Sequence, residues 1–265
     1  MTALAPASRH VIPLPGRFRI AARLLAMFVL LLVCVLLYYP WRLRGPHNPW
    51  PRLFLGGMAR LAGVRATMQG KLRHKGAILL ANHVSWIDIL AIAGATGTAF
   101  VAHDGLASVP LLRWLCSLND TVFVARHDRK SVARQVAQVR EAIRDTGALT
   151  IFPEGTTSDG TGLLPFKSSL LSALDPLAQG IAVQPVWLDY GAEAQDIAWV
   201  GGEPGLANFL RILARPQPLR LDIHLLPPLA GEALANRKAI AASAREAILS
   251  AKCGNVAERT QRVAL

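Results

Sequence analysis

Ala77-Ile78-Leu79-Leu80-Ala81-Asn82-His83-Val84-Ser85-Trp86-Ile87-Asp88 is the stretch from which the fold can be read. Its first five residues are apolar without a break, as expected of a strand covered on both faces. Asn82 and His83 fall where that strand hands over to a helix, at the carboxyl edge where open α/β sheets bind ligands. Five residues of unbroken helix would turn Asp88 away from His83. The two therefore meet only if His83 lies in the turn and Asp88 in the first helical turn. Ser85 to Asp88 has the form of a capping box, with Ser85 as N-cap and Asp88 at the third helical position. In that geometry a carboxylate can orient an imidazole and make it a general base. The same residues also admit a plain reading, in which Asp88 caps a helix and His83 is an ordinary loop histidine.

A second motif changes that balance. The apolar residues 148–152 run into Pro153-Glu154-Gly155-Thr156-Thr157-Ser158-Asp159-Gly160. Pro153 cannot donate a ladder bond, so the strand is expected to stop there. Gly155, Gly160 and Gly162 permit positive φ and let backbone N–H groups approach an anion or a carbonyl oxygen. A nucleotide-binding P-loop is excluded, because Thr161 and Gly162 stand where Lys and Ser or Thr are required.

Four blocks in order carry a resemblance: Asn82-His83 with Asp88, residues 121–126 ending in Arg126, Phe152 to Thr156, and Val183-Gln184-Pro185-Val186. Together they resemble the glycerolipid acyltransferase family, whose best-known members are 1-acylglycerol-3-phosphate acyltransferases. The resemblance covers roughly residues 75–190. It implies a single α/β domain with a central mixed sheet flanked by helices. It also implies an O-acyltransferase of membrane lipid biosynthesis, in which His83 deprotonates the acceptor hydroxyl and Asp88 holds the imidazole in the right tautomer. The acyl group would come from an acyl-carrier-protein or coenzyme A thioester. That thioester already carries the activation, so no cofactor is expected. Arg126, Glu154, Gly155, Thr156, Thr157 and Lys167 are the residues placed at the acceptor.

Two departures bear on the acceptor. Phosphate-accepting members usually carry Arg where this chain has Thr157, and often Lys where Phe100-Val101-Ala102-His103 offers a histidine. A phosphomonoester is matched best by Arg forks or Lys point charges, and both are missing at these positions. The longer run through Gly160 to Lys167 looks more like the branch that acylates lyso-ornithine lipid, an acceptor with a zwitterionic amino-acid head and no phosphate. Lyso-ornithine lipid is the favoured acceptor and lysophosphatidate the alternative, with Arg126 and Lys167 available for a phosphate or a carboxylate.

Composition points to a membrane. The chain has 29 Lys and Arg against 17 Asp and Glu, and Asp88 is the first acidic residue, so the whole excess of 12 lies ahead of it. Residues 24–39 are apolar throughout and end in Tyr38, Tyr39 and Trp41, an aromatic belt followed by Arg42 and Arg44. Arg23 is expected to snorkel outward at the other end. The segment resembles a signal peptide but lacks a small-residue cleavage site, so it is read as retained. A spanning helix and a re-entrant or interfacial one both remain open. Residues 50–64 form either a membrane-facing helix or a core helix. The expected organisation is a basic segment (1–19), a membrane anchor (20–44), an interfacial helical segment (45–74) and the catalytic domain (75–265). The expected location is the inner (cytoplasmic) membrane, against an anionic lipid surface, with the catalytic domain facing the cytoplasm.

Further strands are expected at 98–102, 121–125, 148–152, 181–188 and 219–226, with the clearest helix at 131–146 stopped by Gly147. Cys34, Cys116 and Cys253 are few and scattered, which suits reduced thiols. The seven histidines show no metal-ligand spacing, so no metal is expected. A serine hydrolase would need a Gly-x-Ser-x-Gly elbow, which is absent. A nucleic-acid partner is not expected, because the charge excess sits beside apolar sequence and the remaining domain is balanced. A membrane adaptor using an inactive acyltransferase fold is the non-enzyme alternative, and intact His83, Asp88 and Glu154 argue against it.

Overall fold

The computed structural model describes residues 12–45, 48–73, 76–103, 110–119, 121–124, 141, 143, 146–174, 177 and 180–263. Seven strands form one sheet: β1 (Val64–Gln69), β2 (Ala77–Ala81), β3 (Ala99–His103), β4 (Val122–Val124), β5 (Ala148–Ile151), β6 (Ala182–Asp189) and β7 (Leu219–Leu225). Their order is β1-β7-β6-β2-β5-β3-β4. β6, β2, β5, β3 and β4 run parallel, whereas β7 is antiparallel to β6 and carries β1 parallel to itself. The sheet is therefore mixed, as the resemblance implied.

Among the described residues the longer α-helices are α1 (Leu14–Arg42), α2 (Trp50–Leu61), α3 (Ile87–Thr96), α4 (Pro110–Leu118), α5 (Gly205–Ala214) and α6 (Arg237–Val263). β2 shows why its sequence is apolar throughout. Ala77, Leu79 and Ala81 join the cluster formed with α1, α2, α3 and α5, while Ile78 and Leu80 pack with Ile240, Ala241 and Ala244 of α6 on the opposite face. At β7 the pattern alternates instead: Leu219, Leu221, Ile223 and Leu225 are buried and the residues between them are not. Most of the helix expected at 131–146 lies outside the described residues. Ile143 is buried in the core, and Gly147 follows it at φ 80° with its N–H on the Ile143 carbonyl (2.7 Å), the stop expected of that glycine.

Two expectations for the N-terminal third need correction. Residues 64–69, assigned to an interfacial helical segment, form edge strand β1, because their register with β7 satisfies a second row of backbone groups. Arg23 does not reach outward. Its guanidinium donates to the Leu213 carbonyl (2.8 Å) and Arg19 to that of Ala214 (2.7 Å), capping the C-terminal end of α5. Arg52 likewise caps α3 through the Gly94 and Ala95 carbonyls, at 3.1 and 2.7 Å. For residues 50–64, where two readings stood open, α2 packs between α1 and α3: Leu55, Met58 and Leu61 lie against the core and Leu53 stays exposed.

α2 and α3 cross backbone to backbone at Gly56 and Gly94, where a Cβ on Gly94 would sit 2.3 Å from the Gly56 Cα. No rotamer relieves that contact, so the helices must separate. Gly94→Ala is expected to cost about 1–3 kcal/mol as overpacking, which lowers Tm by several degrees in detergent-solubilised protein. An unchanged thermal midpoint would rule out this close crossing.

Candidate active site

Asn82 ends β2 by acting as a further rung of the sheet. Its Oδ1 accepts the Leu188 N–H (2.7 Å) and its Nδ2 donates to the Leu188 carbonyl (3.1 Å), tying the strand end to β6. His83 thus starts the turn from a fixed point at the carboxyl edge of β2. Its Nδ1 lies 2.8 Å from Asp88 Oδ2. A carboxylate only accepts, so Nδ1 carries the proton and Nε2 keeps its lone pair. The ring stacks on Phe152 at 4.1 Å between centroids, and Phe152 stacks in turn on Phe100.

Asp88 is wholly buried. Beyond His83, its Oδ2 accepts the backbone N–H groups of Val84 (2.6 Å) and Ser85 (2.9 Å), and its Oδ1 accepts the Tyr190 hydroxyl. Burial, reinforced by the neighbouring carboxylate, holds the Tyr190 phenol well above its ordinary range, so it remains a donor. The expected capping box is only half present. Asp88 reaches back to the Ser85 N–H, but the helix begins at Ile87, and the buried Ser85 Oγ makes no hydrogen bond. The carboxylate is occupied by the turn and the imidazole, and this replaces the expected reciprocal cap.

The second motif locks the same histidine. Glu154 was expected at the acceptor, yet it is wholly buried beneath the cleft. Its Oε1 accepts the His83 N–H (3.1 Å) and its Oε2 the Leu164 N–H (3.3 Å). The His83 carbonyl accepts from the Ser158 N–H (2.7 Å) and the Ser158 hydroxyl (3.1 Å). Both backbone groups of His83 are therefore held from the loop after β5. Burial pushes the Glu154 carboxyl up to about 7, against the opposing pull of the two amides and His83.

The remaining expected residues separate. Gly155 turns at φ 70° with its N–H on the Phe152 carbonyl, and the Lys167 Nζ lies 3.3 Å from where a Gly155 Cβ would stand. Thr156 is exposed, and the Thr157 hydroxyl donates to the Trp199 carbonyl. Lys167, Gly155 and Thr156 thus share one turn, and Arg126 lies outside the described residues. Ser158 and Tyr190 went unnoticed in the sequence. Tyr190 stands one residue beyond β6, where a regular sequence pattern gives no signal.

An apolar cavity of about 250 Å³ opens beside this motif among α1 to α4, with Leu31, Val35, Phe54, Trp86, Leu90 and Phe100 in its walls. Phe100 is the residue on which the His83–Phe152 stack ends. Elsewhere, Asp189, Asp222 and His224 bring ligand-type atoms within 4.8 Å of one another across β6 and β7. Each has a protein partner: Asp189 accepts from Gly191 and Asn255, Asp222 accepts the Thr67 hydroxyl, and His224 stacks on Trp187.

A partly exposed imidazole oriented by a buried carboxylate beside an apolar cavity suits base chemistry on an acyl-chain substrate, and comparison with known proteins agrees. The family model described as Acyltransferase matches residues 63–189. A lyso-ornithine lipid O-acyltransferase of Rhodobacter capsulatus is 32% identical over 256 residues, covering 89% of this chain and 91% of that protein. A 1-acyl-sn-glycerol-3-phosphate acyltransferase of Neisseria gonorrhoeae is 38% identical over 109 residues, covering 41% and 43%. The crystal structure of the 1-acyl-sn-glycerophosphate (LPA) acyltransferase from Thermotoga maritima shares the fold, with a TM-score of 0.60 at 19% identity over 89% of this chain and 98% of that one. The chain belongs to the acyltransferase family. It is an O-acyltransferase of membrane lipid biosynthesis.

Glu154 gives a pH prediction. A carboxyl raised from 4.5 to about 7 on folding contributes stability that is fully present below pH 4.5 and is lost as pH rises through 7. Glu154→Gln is expected to flatten the fall of Tm between pH 5 and 8, at the cost of one amide bond. Parallel slopes for the two proteins in thermal unfolding would refute this environment for Glu154.

Proposed function

We propose that this enzyme acylates the free hydroxyl of lyso-ornithine lipid, with His83 as general base. The observation that carries the acceptor is the reach of the similarity. It extends over nine-tenths of the lyso-ornithine lipid O-acyltransferase of Rhodobacter capsulatus but over less than half of the Neisseria gonorrhoeae 1-acyl-sn-glycerol-3-phosphate acyltransferase. Thr157, with its hydroxyl engaged by Trp199, supports the same reading, since a neutral group there offers a phosphate no cation.

In the proposed reaction His83 Nε2 removes the hydroxyl proton as the oxygen attacks the thioester carbonyl. A C–O bond forms, the C–S bond breaks, and the imidazolium returns its proton to the departing thiolate. Asp88 steadies the imidazolium, and the Tyr190 hydroxyl and two turn amides hold Asp88. The donor is an acyl thioester of acyl-carrier protein or coenzyme A, and its chain would enter the apolar cavity that Phe100 helps to line.

The proposed location is the inner membrane, with the active site on the cytoplasmic side. α1 is long and apolar enough to cross a bilayer, and Phe18, Leu25, Phe28, Leu32 and Leu36 are exposed along it. Its other side keeps Gly16, Met27, Cys34 and Tyr38 buried from one end to the other. A helix seated on its own domain along its whole length supports an anchor sunk into one leaflet.

Membranes containing the protein should transfer acyl groups to lyso-ornithine lipid faster than to lysophosphatidate. His83→Ala should lower the rate by about 10²- to 10⁴-fold. Preference for lysophosphatidate would overturn the acceptor assignment, and wild-type rates from His83→Ala would overturn the general base.

A further inference from the structure

A second cavity, of about 360 Å³, lies at the carboxyl edge of β2 and β6, and nothing in the proposed chemistry uses it. Its walls include Asn82 and Val84, the two neighbours of His83. The ring of Tyr190 lines it, and the same residue's hydroxyl reaches Asp88. The space therefore lies beside the turn that carries His83, lined by the neighbours of the catalytic pair and not by the pair itself. It is closed on its far side by α6, which contributes Lys252 and Asn255, and the apolar cavity lies among α1 to α4, on the other helical layer.

Two opposite charges are built into this wall. The Lys252 ammonium donates to the Gly160 carbonyl (3.3 Å) and to that of Thr161. An ammonium has three N–H donors, and among the described residues two carbonyls take hydrogen bonds from it, while the exposed Asp159 carboxylate lies close enough to feel its charge. The Asp189 carboxylate, at 9% exposure, is oriented by the Gly191 N–H (2.8 Å) and by Asn255 Nδ2 (3.2 Å). A fixed ammonium and a fixed carboxylate in one small cavity match a ligand that carries both signs. A phosphomonoester would gain from Lys252 but would be repelled by Asp189.

We propose that this cavity is the head-group site of the acceptor, with Lys252 receiving the carboxylate and Asp189 the ammonium of a zwitterionic amino-acid head. The proposal rests on the reading of the acceptor as lyso-ornithine lipid and deepens it. A head held here keeps the attached hydroxyl near His83, because the cavity wall includes the residues on either side of that histidine. Selection against phosphate acceptors then comes from Asp189 as much as from Thr157.

The test compares wild-type enzyme, Lys252→Met and Asp189→Asn in detergent micelles, measuring KM for lyso-ornithine lipid, lysophosphatidate and the acyl donor. Tm is checked for each protein. The expected result is a KM for lyso-ornithine lipid raised about tenfold or more in both variants, with the donor KM unchanged. Asp189→Asn is further expected to improve the use of lysophosphatidate, an opposite effect on two acceptors that a folding defect cannot produce. If the wild type prefers lyso-ornithine lipid and both variants keep its KM within twofold, the cavity is not the head site and the acceptor reading stands. A KM raised for the donor alone would assign the cavity to the pantetheine arm and overturn the proposal. A wild type that accepts only lysophosphatidate would remove the acceptor reading itself, and this inference with it.

Discussion

The structure depends on the Asp88 carboxylate, which is wholly buried and accepts from four donors. An isolated carboxylate at such a site would carry a large desolvation cost, and hydrogen bonds to a charged acceptor are what offset it. Two of those donors are amides of the turn that places His83. The third is His83 itself, and the fourth arrives from the far end of β6 as Tyr190. One group thereby fixes the turn, the start of α3, the tautomer of the imidazole and the spacing between two strands. Removing it would leave four donors facing inward without an acceptor, so its role in orienting the base cannot be separated from its role in the fold.

Glu154 is the instructive contrast. It too is a buried carboxyl, but it has only two amide contacts, and burial outweighs these and the pull of His83 to raise it to about 7. It serves as a clamp on the His83 backbone, where a neutral carboxyl works as well as a charged one. The two motifs therefore form a single device. The first supplies the reacting imidazole and its partner, and the second, through Glu154 and Ser158, holds both backbone groups of His83.

The strand positions, the His83–Asp88 pair and the Gly147 stop were legible because each depends on local pattern: apolar runs, a break residue, a fixed spacing; the mixed sheet came only from the family resemblance. What was misread depends on distant partners. Glu154 was placed at the acceptor by the resemblance, and only tertiary packing shows it buried against the His83 backbone. The basic N-terminal third was read as attraction to an anionic bilayer. Part of that charge has a different task, since Arg19, Arg23 and Arg52 cap the ends of α5 and α3 and so seat α1 and α2 on the domain. β1 was missed because an edge strand with a single buried residue has almost no apolar signature. Tyr190 acts through its hydroxyl on Asp88, and Ser158 through its N–H and hydroxyl on the His83 carbonyl, and nothing in a sequence marks which hydroxyl will be buried against such an acceptor.

The account's central claim is that Asp88 holds His83 with Nδ1 protonated and Nε2 available as base. Nitrogen-15 NMR of histidine-labelled protein in detergent tests it directly, with His83 assigned by the loss of its signals in His83→Ala. Neutral His83 is predicted to show the Nδ1–H tautomer, with that preference abolished in Asp88→Asn. A wild-type signal from the Nε2–H tautomer, or one indifferent to Asp88→Asn, would contradict the account.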